Sequence, residues 1–390
     1  MAEVEFCLVM SRFPPPVLRV GLCFLLVFIL RPGPVAGNGN TSRVKRARPD
    51  TVQAPIEVVF CLDLSGSTNG VVNDLRDQFW LIVNAVQAIR PHSELRMGLV
   101  GFSRPSFGKE NEYVRLLCPI TPELDQVQAE LYRLRPFIEK GDQYVGAALK
   151  VAIGDLRWSS MPGASRMVFL VGNGMVQSDG YDFVKFSEQA RLKNIRIHTL
   201  YARSTYNLFK ELPGWKRIAS ISGGRNTDFR VTTRDSITVW PSEPDSQLRV
   251  LNDRYNETLL WCKSDSAQFH RALLIADSGA YNSSSEAWHH RLYYKTGQGF
   301  LSRLITCEDH PLDGVFTSND ADGAAFEERK KRDCEIVQQR TRLQGEIRRK
   351  LPADNFDELV RRYLKGSLRE EEILHRCIIR ILFAELGSYP

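Results

Sequence analysis

Between residues 56 and 231, short solid apolar runs alternate with stretches whose apolar residues recur every three or four positions. Residues 56–62 are apolar almost throughout, the mark of a strand covered on both faces. Residues 72–89 have helical spacing instead, through Leu75, Phe79, Ile82, Val83 and Val86. The same reading predicts strands at 95–102, 113–118, 167–171, 195–201 and 227–231. Helices are predicted at 123–134, 144–156, 183–192 and 208–221, the last stopped by Gly223-Gly224. Buried strands alternating with helices specify an α/β fold: an open, mainly parallel sheet with helices on both faces. Ligands of such sheets bind beyond the carboxyl ends of the strands, so the loop after the first strand is the first place to look.

After residue 240 the alternation stops. Leu248, Leu251, Tyr255 and Leu259 predict a helix; the stretch to Gly299 is mixed, and 301–324 carries loop signals. Ile336, Leu343, Ile347 and Leu351 form a helical stripe cut by Pro352. A second stripe, Phe356, Leu359, Val360, Tyr363 and Leu364, stops at Gly366. Ser367 and Glu370 have capping-box spacing before a third, through Ile373, Leu374, Cys377, Ile378, Ile381 and Leu382. Such stripes default to packing within the chain. The organisation read here is an N-terminal segment 1–37, a basic linker 38–54, an α/β domain 55–240, a mixed extension 241–326 and an amphipathic helical tail 327–390.

The first segment reads as an export signal. Arg12 and Arg19 precede an apolar run over 20–30, followed by Pro32, Pro34 and Val35-Ala36-Gly37. A spanning helix needs about 20 apolar residues, so a cleaved signal peptide is expected ahead of an uncleaved anchor. The expected location is secreted, extracellular or periplasmic, with membrane attachment only if the segment stays uncleaved. Net charge is +6, but the 52 basic residues are scattered among 46 acidic ones, which argues against nucleic acid as a partner. Beyond residue 37 stand Cys61, Cys118, Cys262, Cys307, Cys334 and Cys377. Cys61 and Cys377 sit on core patterns; Cys262 with Cys307 is the candidate bridge. Glycosylation sequons start at Asn40, Asn256 and Asn282.

The most specific chemistry is Asp63-Leu64-Ser65-Gly66-Ser67, where a buried strand delivers one carboxylate and two hydroxyls onto a tight turn. Clustered hard oxygen donors suit a divalent cation. The motif, with the strand and helix order of residues 55–235, resembles the metal-ion-dependent adhesion site of von Willebrand factor A-type (VWA) and integrin I domains. The resemblance implies that Asp63, Ser65 and Ser67 hold Mg2+ (or Mn2+ or Ca2+) and that a later-loop Thr and a further Asp complete the site. A ligand carboxylate would take the last coordination position. Here the Thr position falls on Gln143 and the Asp position on Asn173, with Asp142 nearby as compensating charge. One lost carboxylate implies weak binding. The alternative is a site without an ion, in which Asp63 and the serines cap the following helix. Residues 56–300 and the tail segment 351–374 also look like exported VWA-domain proteins of bacteria.

No Gly-x-Ser-x-Gly elbow, phosphate-binding loop or His-Glu-x-x-His motif occurs, so catalysis is not expected. His289-His290 reads as a solvated surface pair, and Trp288, Tyr293 and Tyr294 as packing beneath a loop. The leading expectation is an exported protein that binds a protein ligand through the Asp63 face. The second is an assembly component, self-associating as a homo-oligomer through its tail helices with a vestigial site. A third is a regulatory subunit beside an ATPase, against which an export signal argues.

Overall fold

The computed structural model describes residues 53–135, 144–174, 176, 181–203, 214–231, 241–259, 266–297, 323–352 and 373–387. Six strands, β1 (Gln53–Asp63), β2 (Ser93–Phe102), β3 (Arg115–Thr121), β4 (Ser165–Gly172), β5 (Ile195–Arg203) and β6 (Asn226–Arg230), form one sheet in the order β3-β2-β1-β4-β5-β6. All neighbours are parallel except β3, which runs antiparallel to β2 at the edge. An edge is where Pro119 is tolerated, since only one side of the strand needs its N–H groups. The register sets Asp63 beside Phe102 on one flank of β1, and the last β4 residue, Gly172, beside Tyr201.

Alternate residues of the central strands feed two cores. Val58, Phe60, Leu62, Met97, Leu99, Phe169 and Val171 face one side, and Val59, Cys61, Val100, Val168, Leu170 and Ile197 the other. Both faces are covered, which is why the strands read as solid apolar runs. Glu57 lies buried within β1 because both its oxygens accept the Ser159 N–H, at 3.1 and 2.9 Å. The second face is covered by α3 (Val145–Leu149, continuing as a π-helix to Asp155), α4 (Phe183–Leu192) and α5 (Trp215–Ser222). Gly223 ends α5 at φ 78°, the left-handed stop expected there.

The first face carries two layers. Against the sheet lie α1 (Asn69–Ile89), α2 (Leu124–Arg133) and, beside α1 on β5 and β6, α10 (Leu374–Leu386). Over α1 and α2 pack α7 (Ser266–Ser283) and α8 (Ser285–Lys295), followed by α6 (Glu243–Glu257) and, on α6, α9 (Gly323–Lys350). The α1 stripe is therefore wider than its spacing predicts: every residue from Gln78 to Val86 is buried. Trp80 stacks on Tyr294 of α8 at 4.5 Å, and Asn84 donates to the His290 carbonyl at 3.0 Å. From α10, His375 meets Asp74 through its backbone N–H and Nδ1, at 3.1 and 3.0 Å. Arg90, just after α1, donates to the Leu386 carbonyl at 2.8 Å. Residues 51–390 form one compact unit, so the mixed extension and tail are layers of the same body as the sheet.

The extension is held by a buried set of charges. Asp277 of α7 accepts from Arg291 Nε and Lys295 Nζ, both at 2.8 Å, and from the Asn252 and Asn256 amides, both at 2.9 Å. Arg291 also bonds Asp125 of α2 at 2.5 Å and lies 4.2 Å over the Trp80 ring. Two expectations are corrected here. His289-His290 is no solvated pair: His289 Nε2 meets Asp245 at 2.8 Å, and His290 is buried. Asn256 lies in α6 with its amide committed to Asp277, unlike a surface-loop glycosylation site. Asn40, the export signal, the linker, Cys262, Cys307, the 356–364 stripe and the Ser367–Glu370 box lie outside the described residues. No helix among the described residues is long and apolar enough to cross a membrane.

Candidate functional site

β1 and β4 end side by side, so their last residues and the turns that follow share one edge of the sheet. Asp63 is the final residue of β1 and fully buried. Its Oδ1 accepts the Ser65 N–H at 3.0 Å, folding the turn back over the carboxylate. Thr68 locks that turn from below, its hydroxyl donating to the carbonyls of Asp63 (2.5 Å) and Ser65 (2.8 Å). The Ser65 and Ser67 hydroxyls lie 3.2 Å apart. The Asn173 amide, just after β4, straddles the Ser67 hydroxyl with Oδ1 at 3.1 Å and Nδ2 at 3.0 Å. A polar line thus runs from a buried carboxylate through Ser65 to the exposed Ser67.

Burial pushes the Asp63 carboxyl above the usual carboxylate range; the Ser65 N–H and hydroxyl, the Asn173 N–H and the Ser103 hydroxyl oppose this. The low-dielectric site therefore favours a proton or a nearby cation. The donors are a carboxylate, two hydroxyls and an amide oxygen, all hard oxygen ligands that fit Mg2+ in kind. With one carboxylate among them, the fit is for weak binding. Among the described residues no group of three or more His, Cys, Asp or Glu side chains offers another metal site.

No protein-family model and no curated protein matches the sequence. Among solved structures the chain is similar to BatB of Bacteroides thetaiotaomicron, at 16% identity over 45% of this chain and 91% of that one, TM-score 0.34. It is also similar to the VWA domain of SpRpn10, at 11% identity over 46% and 90%, TM-score 0.35. An aerotolerance-related membrane protein of Bacteroides fragilis matches at 16% identity over 46% and 92%, TM-score 0.29. The open, mainly parallel sheet, with the Asp63 turn at the end of β1, is the arrangement the sequence resemblance implies; the antiparallel edge strand β3 is a finding of the structure. The fold is VWA-like.

In this VWA-like site the structure brings together four of the five residues expected from sequence, Asp63, Ser65, Ser67 and Asn173; Gln143, with Asp142, lies outside the described residues. The helix-capping alternative is half met. Asp63 does bond a turn amide, but the N-cap of α1 is Thr68, whose side chain makes no capping bond, and neither serine caps α1.

Four further residues shape the VWA-like site without a sequence signal strong enough to name them. Thr68 acts through its hydroxyl. Ser103 sits buried at φ 66° directly after β2, placed beside the turn by the Asp63–Phe102 register. Gly172 is required for lack of a side chain: a Cβ there would lie 2.8 Å from Asp63 Cβ and 3.1 Å from its Oδ2. Trp215 backs the site, its indole N–H donating to the Gly174 carbonyl at 2.7 Å.

Proposed function

We propose that this chain is an exported protein-binding module that works without catalysis and engages a protein ligand through the loop face around Asp63. The observation that carries the reading is the hydrogen-bonded group Asp63–Ser65–Ser67–Asn173 at the carboxyl ends of adjacent central strands. Asp63, Ser65 and Ser67 would hold a divalent cation, Mg2+ before Mn2+ or Ca2+, with Asn173 as neutral neighbour. The cation would supply a Lewis-acidic position for a carboxylate of the ligand. The chain's own contribution is to bury the Asp63 charge, fix the turn through Thr68 and leave Ser67 open to solvent.

The assembly reading is less well supported. The described tail stripes, Leu343 and Ile347 of α9 and Leu374, Ile378 and Leu382 of α10, are buried in the chain's own core rather than left for a second copy.

Calorimetric titration of Mg2+ and Mn2+ into the full chain, beside an Asp63→Asn variant, tests the proposal. Weak binding that disappears in the variant is the expected outcome. No heat in the parent, with its fold intact, would retire the ion.

A further inference from the structure

Beside the Asp63 turn opens a groove of about 320 Å³ lined by Arg104, Ser106, Phe107, Arg115, Leu117, Glu130, Arg133, Leu134 and Arg135. Four guanidinium groups face one carboxylate, and Glu130 is already engaged by Arg133. Arg104, Leu134 and Arg135 also line a second, smaller hollow with Leu64 and Asn69, so the groove runs up to the turn that carries Asp63.

Arg104 and Arg115 are held in place rather than waving in solvent, and Arg135 is exposed at the groove's rim. Arg104 donates to the Arg135 carbonyl at 3.0 Å. Arg115 lies 4.5 Å over the Phe107 ring and donates to the Ser106 carbonyl at 3.3 Å. Phe107 and Leu134 are buried and Leu117 half-buried, so an apolar floor lies between the charges. Partial burial, and then the charge of Arg115, pull the Arg104 guanidinium below its ordinary value, so an anion placed between the two would relieve both. Guanidinium forks match carboxylates in bidentate geometry. An apolar floor flanked by such forks complements a chain carrying carboxylates on either side of an apolar side chain.

We infer that this groove recognises an acidic segment of a protein partner, its carboxylates on Arg104, Arg115 and Arg135 and an apolar side chain on Phe107, Leu117 and Leu134. The inference rests on the protein-binding reading of the Asp63 face and names the chemistry of the ligand. It does not require the cation, because the arginines supply their own charge.

The test measures fluorescence anisotropy of a labelled peptide of repeating glutamate, leucine and glycine, with the full chain, in EDTA and again in Mg2+. Its glutamine counterpart and a short single-stranded oligonucleotide serve as comparison probes. The glutamate peptide is expected to bind in EDTA and to weaken as salt rises. The double variant Arg115→Glu with Arg135→Glu, both exposed positions, should lower its affinity about tenfold or more. Arg104→Lys keeps the charge but loses the fork and should give a smaller loss. Arg217→Glu, exposed on α5 across the sheet, should change nothing. Equal binding of the glutamine peptide, tighter binding of the oligonucleotide, or full affinity in a folded double variant would each overturn the proposal. Comparing EDTA with Mg2+ in the unaltered chain separates the two readings: binding in EDTA that the double variant lowers stands on the groove alone, and only an increment gained with Mg2+ bears on the Asp63 site.

Discussion

Asp277 joins α6, α7 and α8 through four hydrogen bonds, two of them from fully buried cations. Replacing it with the nearly isosteric asparagine keeps the volume but strips the charge between Arg291 and Lys295. Removing one partner of a buried pair costs about 3–5 kcal/mol, because the other charge is left uncompensated. Arg291 would retain Asp125 at 2.5 Å, and Lys295 the Asn252 and Asn256 oxygens at 2.5 Å each. The lower end, about 3 kcal/mol, is therefore expected, a substantial part of a domain's typical stability of about 5–15 kcal/mol. Urea titration followed by tryptophan fluorescence measures it, since Trp80 lies directly beneath Arg291. Lys295→Met in the Asp277→Asn background should recover part of the loss, giving a coupling above about 1 kcal/mol in a double-mutant cycle. The loss should also depend on pH. Burial, opposed by the Asp277 carboxylate, pulls the Lys295 ammonium from 10.5 down to about 8. Without that carboxylate it falls further, so the variant's deficit is full just above the carboxyl's ordinary value of 3.8, shrinks below it as Asp277 of the parent takes up its proton, and shrinks above it as Lys295 becomes neutral. A deficit under about 1 kcal/mol, strict additivity, or a deficit that grows as pH rises from neutral would refute the reasoning.

Two further outcomes follow from groups near the sheet. His198 is buried, accepts the Arg225 N–H on Nδ1 at 3.1 Å, and is pulled down to about 3 by burial and then by Arg196 and Arg225. Its contribution is complete above the unfolded value of 6.5 and is lost as pH falls toward the folded one, by up to about 1.4 kcal/mol per pH unit. Acid titration of stability should accordingly be shallower in His198→Gln over that range. Gly172→Ala would bring a methyl to 2.8 Å from Asp63 Cβ and 3.0 Å from the Trp215 ring. Thermal unfolding should show a loss of about 1–3 kcal/mol, together with a blunted response to Mg2+.

The sheet was legible because its strands are buried on both faces, so residues such as Val58 to Leu62 could be read without knowing their neighbours. The site was legible where it is contiguous: Asp63, Ser65 and Ser67 fall on one turn, and Asn173 at the end of the adjacent strand. Thr68 and Ser103 were hidden because a hydroxyl that locks a turn looks like any surface hydroxyl until register places it. The extension was obscured for a different reason. Its interior holds Asn252, Asp277, Arg291 and Lys295, which break the apolar period that marks a buried helix face. His289 and His290 were misread for the same cause: their partners, Asp245 and the core around Asn84, lie in other elements.

The joint between α1 and α10 bears on how the chain comes to be folded at all. Asp74 and His375 are 301 positions apart, and Arg90 and Leu386 are 296 apart. While the polypeptide is being synthesised, the sheet and α1 are made long before the helix that covers them. Until α10 emerges, the side of α1 that carries Asp74 lacks its cover and stays sticky. Pairings this distant in sequence slow folding and prolong exposure to aggregation. Truncation after residue 373 should therefore cost soluble yield more than surface area alone would suggest, because it uncovers that side of α1 together with the sheet beside it.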